Sequence, residues 1–152
     1  MLNFIVQRVN KGKNYPLPKY TTPSASGLDL YAAIHKPTSI KVGKIKLIYS
    51  GIKIKISNGY EAQIRPRSGL ALNYGITVFN SPGTIDSDFR GEIGIILINL
   101  SKQKFIVEPG MRIAQLVFTS IFRPQLTEGI VTNEDSTRSL KGFGSTGLHD
   151  KC

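Results

Sequence analysis

Short stretches in which apolar and polar residues alternate run along most of this chain, and they predict strands. The clearest is Ile52-Lys53-Ile54-Lys55-Ile56, where isoleucine takes every second position and lysine fills the gaps. A period of two belongs to a strand with one buried face. Enrichment in Val, Ile, Phe and Tyr extends the prediction to strands over residues 4–9, 28–33, 44–56, 60–65, 76–79, 92–100 and 112–122. Asn58-Gly59, Ser81-Pro82-Gly83 and Pro109-Gly110 read as the turns between them. One short helix is predicted over residues 68–73, with Ser68 as its cap, Leu70, Ala71 and Leu72 as good formers, and Gly75 as its end. Many short strands in 152 residues predict an all-β sandwich, jelly roll or barrel, with no internal repeat.

From about Thr127 the pattern is lost. Thr132-Asn133-Glu134-Asp135-Ser136-Thr137 is polar and aperiodic, and Gly142-Phe143-Gly144-Ser145-Thr146-Gly147 follows. The chain is therefore expected to divide into a β domain over residues 1–126 and a mobile tail over 127–152. A phenylalanine between glycines is unusual for a plain linker, and points to a segment that closes over something with its ring as the contact.

Composition narrows the classes. With 40% hydrophobic and 20% charged residues the chain is neither disordered nor a coiled coil. No run approaches the roughly 18 apolar residues of a membrane span, and the first eight residues lack the order of a signal peptide. Cys152 is the one cysteine, which excludes an internal disulfide framework and a cysteine zinc cluster and suits a reducing cytoplasm. His35 and His149 stand beside no evident ligand set.

The formal charge of +10 points to an anionic partner, a phosphate compound or a nucleic acid. Residues 1–60 carry ten basic side chains against one acid, Asp29. Much of that lysine decorates strands, where it keeps sheet surfaces soluble and blunts edges. Aromatics interleaved with the cations, as a single-strand binder needs, are not evident, which argues against nucleic acid.

Five stretches carry candidate chemistry. In Gly83-Thr84-Ile85-Asp86-Ser87-Asp88-Phe89-Arg90-Gly91-Glu92, a carboxylate beside Ile85 and Phe89 is expected to be partly desolvated and suited to act as a general base, although acids are also common at hairpin tips. Arg65-Pro66-Arg67-Ser68-Gly69 puts two arginines, a hydroxyl and a glycine at a helix start, which suits a phosphate or a plain helix cap. In Ser24-Ala25-Ser26-Gly27-Leu28-Asp29-Leu30 the acid can orient waters on a magnesium ion, or form a salt bridge or turn cap. Gln115, in Gly110-Met111-Arg112-Ile113-Ala114-Gln115-Leu116, has an amide for a phosphate oxygen, or alternates outward from a strand. The tail adds Arg138, Ser145 and Thr146 among glycines that can form an anion-holding nest.

In order and spacing these stretches resemble the five motifs of the trimeric dUTP pyrophosphatases (dUTPases), from near residue 15 to residue 147. The resemblance implies an all-β, jelly-roll-like dUTPase fold with one short helix and a flexible C-terminal tail. It implies a homotrimer whose three active sites each draw on all three subunits. The reaction it implies is hydrolysis of dUTP to dUMP and pyrophosphate with Mg²⁺ on the triphosphate, which would keep uracil out of DNA and supply the precursor of thymidylate. Carried over by position, the resemblance makes Asp86 the base that activates water for in-line attack on the α-phosphorus, with the following roles likewise implied. Asn80 and the backbone that follows, through Thr84 and Ile85, read the uracil edge, and Phe89 packs on the deoxyribose and excludes a 2′-hydroxyl. Ser68, Gly69 and Gln115 hold phosphates with Arg67 in support, and Asp29 acts on the metal indirectly, through water. From another subunit's tail, Phe143 and Gly144 cover the uracil while Arg138, Ser145 and Thr146 grip the outer phosphates.

Two positions depart from the pattern: Phe89 stands where the family usually has tyrosine, and Ser139-Leu140-Lys141 replace tail glycines. A dCTP deaminase, or a bifunctional enzyme, shares the fold but needs a glutamate where this chain has Ile96. The remaining alternative is a basic nucleic-acid-binding or regulatory protein on the same scaffold.

Overall fold

Strands with one apolar face must bury it against another sheet. A computed structural model, describing residues 3–134, 136, 139–142 and 145, shows how they do so. The chain divides into two units, Met1–Phe122 and Arg123–Cys152.

The first unit is built from eleven strands: β1 (Ile5–Arg8), β2 (Leu28–Tyr31), β3 (Thr38–Ile40), β4 (Ile45–Tyr49), β5 (Ile52–Lys55), β6 (Tyr60–Arg65), β7 (Ile76–Val78), β8 (Gly83–Ile85), β9 (Gly94–Asn99), β10 (Phe105–Val107) and β11 (Arg112–Ser120). A 3-10 turn over Asn10–Asn14 follows β1, and one helix, α1 (Ser68–Tyr74), follows β6. Every pairing is antiparallel. The sheets run β2-β11-β6-β8, β4-β9-β7, β1-β5 and β3-β10. Their inner faces meet in one core, with Leu30, Ile40, Ile76, Ile95, Leu97 and Ile113 at or below 1% exposure. Phe4 packs on Phe118 and Tyr60, with ring centroids 4.8 and 5.8 Å away, and ties the start of the chain to β6 and β11. No helix among the described residues is long and apolar enough to cross a membrane.

The expectation of an all-β chain with one short helix holds, and the details differ where backbone decides. Residues 44–56 form two strands in different sheets, because the chain turns at Gly51 with φ +72°. Gly51 donates its N–H to Glu92 Oε1 (2.9 Å) and accepts from Val9 N (2.8 Å). A Cβ at Gly12 would collide with the Gly51 carbonyl, so the 3-10 turn closes on β5 only through glycine. Within β5 the alternation is as predicted: Ile52 and Ile54 are buried, and Ile56 beyond it is too. The N-cap of α1 is Arg67, with no side-chain cap bond, so Ser68 lies inside the helix instead of capping it. Gly75 ends it in the left-handed region.

The three-residue strands β3 and β10 escape the sequence pattern. They pair with each other, Thr38 opposite Val107 and Ile40 opposite Phe105. Asn99 locks β3 in place from the core, fully buried, its amide donating to the carbonyls of Ile40 and Gln103 (2.8 Å each). Its oxygen accepts from Ser101 N (2.9 Å) and Ser101 Oγ (2.8 Å). Asn99→Ala leaves several of these groups without partners, and is expected to cost about 3 kcal/mol, read as a lower denaturant midpoint at unchanged slope.

The outward face of β4-β9-β7 is uncharged. Cross-strand pairs Ile45–Ile98 and Leu47–Ile96 lie on it, with Tyr49 beside Gly94. An antiparallel sheet facing water carries polar side chains there; this one presents half-exposed Ile45, Leu47 and Tyr49.

In the second unit, the described residues form turns and no helix or strand. Ser136 N–H donates to Asn133 O (3.1 Å), Ser139 N–H to Ser136 Oγ (2.9 Å) and Ser145 N–H to Gly142 O (3.1 Å).

Candidate functional site

Strand pairing brings three of the five stretches to one place. Gln115 of β11 stands opposite Asp29 of β2 on one side and opposite Arg65 of β6 on the other. The chain leaves β6 through Pro66 and enters α1, so Arg67, Ser68 and Gly69 come to the same end of the sheet. They border a cleft of about 320 Å³ with Asp29 and Gln115. Thr21, Gly27 and Arg112 complete its lining, and none of the three stands out in the sequence as a site residue.

The cleft suits an anion. Leu70 N–H and Ala71 N–H both turn to Arg67 O (3.1 Å each), so the preceding amides of Ser68 and Gly69 have no partner within the helix. A Cβ at Gly69 would meet nothing within 4 Å, so the space beside it is open to a ligand. Two guanidinium groups against one carboxylate leave the cleft one net positive charge. Gln115 donates one amide hydrogen to Pro66 O (3.0 Å), which leaves its second for a ligand. A Cβ at Gly27 would come within 2.5 Å of Gln115 Oε1, so that side chain fills the room glycine leaves.

Asp29 binds two arginines. Its Oδ1 accepts from Arg67 Nε at 2.9 Å and its Oδ2 from Arg112 Nη1 at 3.1 Å. The salt-bridge alternative is therefore present at this residue. Among the described residues no group of three His, Cys, Asp or Glu side chains gathers as a metal cage. A single carboxylate lining a phosphate-sized cleft fits a magnesium ion carried mainly by phosphate oxygens and water.

Asp86 lies elsewhere. β8 runs antiparallel to β6, with Gly83 opposite Ile64 and Ile85 opposite Ala62. Asp86 thus emerges toward the start of β6, while the cleft lies at its end. From Ile85 to Gln115 is two strand spacings across and three residues along, about 14 Å between Cα atoms. Neither Asp86, Asn80 nor Phe89 lines the cleft.

The expected desolvation of Asp86 is not met within one chain. Alternation buries Ile85 and Ser87, at 8% and 4% exposure, and turns Asp86 outward into solvent. Nor is the stretch the tip of a hairpin: β8 pairs with β6 alone, and β9 pairs with β4 and β7. The segment after β8 instead makes its own turn, Phe89 N–H to Asp86 O (3.1 Å), and Arg90 Nη1 pins it by donating to Ser87 O (2.7 Å) and Phe89 O (2.8 Å). Phe89 lays its half-exposed ring across Gly91, where a Cβ would come within 2.5 Å of Cζ. Asn80 and Thr84 are exposed on the same stretch, Asn80 Nδ2 leaning over Gly83. Ser145 is exposed, and Arg138, Phe143, Gly144 and Thr146 lie outside the described residues.

A larger cavity of about 410 Å³ lies between β1-β5 and β2-β11, lined by Phe4, Ile5, Leu28, Ile54 and Phe118 among others. It contains no cation and cannot neutralise a polyphosphate, so the smaller polar cleft is the candidate site.

A family model described as dUTPase matches residues 13–147. The deoxyuridine 5'-triphosphate nucleotidohydrolase of Rickettsia canadensis (strain McKiel) is 53% identical over 143 residues, covering 93% of this chain and 96% of that protein. The same-named protein of Caldanaerobacter subterraneus subsp. tengcongensis is 48% identical over 143 residues, covering 94% and 96%. Among solved structures, a Staphylococcus bacteriophage 80alpha dUTPase with dUPNHPP aligns with a TM-score of 0.85 at 23% identity, covering 96% of this chain and 99% of that one. A mutant dUTPase from phage phi11 of S. aureus, in which a structural Mg(II) ion is coordinated, aligns at 0.77 and 18%, covering 87% and 99%.

Proposed function

Since the chain belongs to the dUTPase family, we propose that it hydrolyses dUTP to dUMP and pyrophosphate in the cytoplasm, keeping uracil from DNA and supplying dUMP for thymidylate. The observation that carries this reading is the cleft itself. Asp29, Arg67, Ser68, Gly69 and Gln115, from separate parts of the sequence, surround one cationic space beside free helix amides.

The outer phosphates bind there, held by the Ser68 and Gly69 amides, the Ser68 hydroxyl, Gln115 and the guanidinium of Arg67. Asp86 accepts a proton from the water that attacks the α-phosphorus in line with the departing pyrophosphate. Asn80 and the backbone at Thr84 and Ile85 pair with the uracil edge, and the Phe89 ring covers the deoxyribose. Phe143 with Gly144 stacks over the base, and Arg138, Ser145 and Thr146 close on the phosphates. Magnesium, when bound on the triphosphate, neutralises its charge, and Asp29 would hold it through water.

Asp86 stands at the far end of β6 from the cleft of its own chain. A homotrimer in which one subunit's Asp86 serves a neighbour's cleft, and a third gives the tail, removes this separation. It would also supply the desolvation that Asp86 lacks alone. The uncharged face of β4-β9-β7 provides surface for such packing, near Asn80, since Phe79 N–H donates to Ile96 O (2.8 Å).

Pyrophosphate release from dUTP, UTP, dCTP and dTTP, with and without Mg²⁺, tests the reading. dUTP is expected to be cleaved fastest, and UTP at least about tenfold more slowly, the scale of a steric rejection. Equal cleavage of UTP removes the role of Phe89, and ammonia release from dCTP would favour the deaminase alternative.

A further inference from the structure

Arg112 begins β11, and its place on the sheet is set by an irregularity. It pairs with Tyr31, but the next register pair is Ala114 with Leu30, then Gln115 with Asp29. Two steps along β11 match one along β2, so Ile113 is an extra residue, a bulge. Side chains alternate faces along a strand, so unbroken register would put Arg112 on the face opposite Gln115. The bulge brings both to the face of Asp29 and buries Ile113 and Ala114 consecutively, at 1% and 0% exposure.

We propose that Arg112 is a further triphosphate-binding residue, and that Asp29 is the positioning residue that holds Arg67 and Arg112 as a pair of guanidinium groups aimed at the phosphates. This rests on the dUTPase reading above. Burial runs in the order the role needs. The Asp29 side chain is 14% exposed, Arg67 29% and Arg112 49%, so the carboxylate anchors from below and the cations face the cleft. Arg67 Nη1 also donates to Arg112 O (3.1 Å), which fixes one arginine to the other's backbone. Side by side the two cations repel, and the shared carboxylate offsets one charge. Asp29 takes one of the five N–H donors of Arg112 and leaves the rest of its fork for an anion. Arg112 itself is half-exposed, and an ion pair to so exposed a cation contributes little to stability, so stability alone does not account for its placement.

The test compares Arg112→Ala, Arg112→Lys and Asp29→Asn in the full-length protein. The ligands are a non-hydrolysable dUTP analogue, dUMP and inorganic triphosphate. Arg112→Ala is expected to weaken both triphosphates about tenfold or more, to leave dUMP within about twofold, and to raise KM more than it lowers kcat. Arg112→Lys recovers part of the loss, because it restores charge without the fork. Asp29→Asn weakens the same two ligands, and combining it with Arg112→Ala costs less than the product of the separate effects. Unchanged triphosphate binding in Arg112→Ala, or an equal loss for dUMP, overturns the inference. So does a fall explained by a lower melting temperature in both Arg112 variants. A wild-type protein that binds inorganic triphosphate through Arg112 yet releases no pyrophosphate from dUTP would instead overturn the functional reading and leave the cleft assignment standing.

Discussion

Asp86→Asn is expected to lower kcat by at least about 10³-fold while a non-hydrolysable dUTP analogue binds almost as well as before. Asparagine keeps the size of the side chain and one acceptor oxygen, but its other oxygen becomes a donor NH2 and it cannot take a proton from water. The turn that presents it does not depend on the carboxylate, since it is closed by Phe89 N–H on the Asp86 carbonyl and by Arg90 on the carbonyls of Ser87 and Phe89. The side chain is exposed and outside the core, so stability should stay within about 0.5 kcal/mol. Single-turnover pyrophosphate release, with titration calorimetry on the analogue, separates chemistry from binding. Turnover near the wild-type rate would remove Asp86 as the base.

Ending the chain before Arg138 should lower kcat/KM for dUTP by about 100-fold or more, because the removed residues include Arg138, Phe143, Ser145 and Thr146. Folding and assembly are expected to persist, since among the described residues every strand and the whole core lie within Met1–Phe122. Kinetics measured beside light scattering and a thermal melt decide the matter. A shortened protein of unchanged size, melting temperature and activity would show that the tail does not close the site.

What was legible in the sequence depended on side-chain chemistry and on patterns long enough to repeat. Ile52 and Ile54 were readable as buried because their alternation is regular, and α1 because Gly75 marks its end. The three-residue strands β3 and β10 have too few positions to show a period, and their order comes from Asn99 and from each other. The break between β4 and β5 depends on a close approach of Gly12 to Gly51, a contact between distant parts of the chain. Asp29, Arg67, Ser68, Gly69 and Gln115 stood out as residue types, and the structure brings them together. Arg112 lay in a stretch already singled out, yet only the bulge at Ile113 turns it toward the others, and a bulge is a property of pairing. The outward direction of Asp86 was hidden for a related reason: alternation from Ile85 sets it, and the apolar neighbours next to it in sequence do not cover it.

β6 joins the cleft at one end to the turn bearing Asp86, just beyond β8, at the other. In the proposed ring of three, no single polypeptide forms a complete centre from its own residues. Two inactive alleles, one lacking the acid and one lacking the cleft, can complement when co-expressed, because some mixed rings pair an intact acid with an intact cleft. An allele faulty in one part alone loses centres only in proportion to its dosage, whereas one faulty in acid, cleft and tail together should leave roughly one centre in eight intact in an equal mixture.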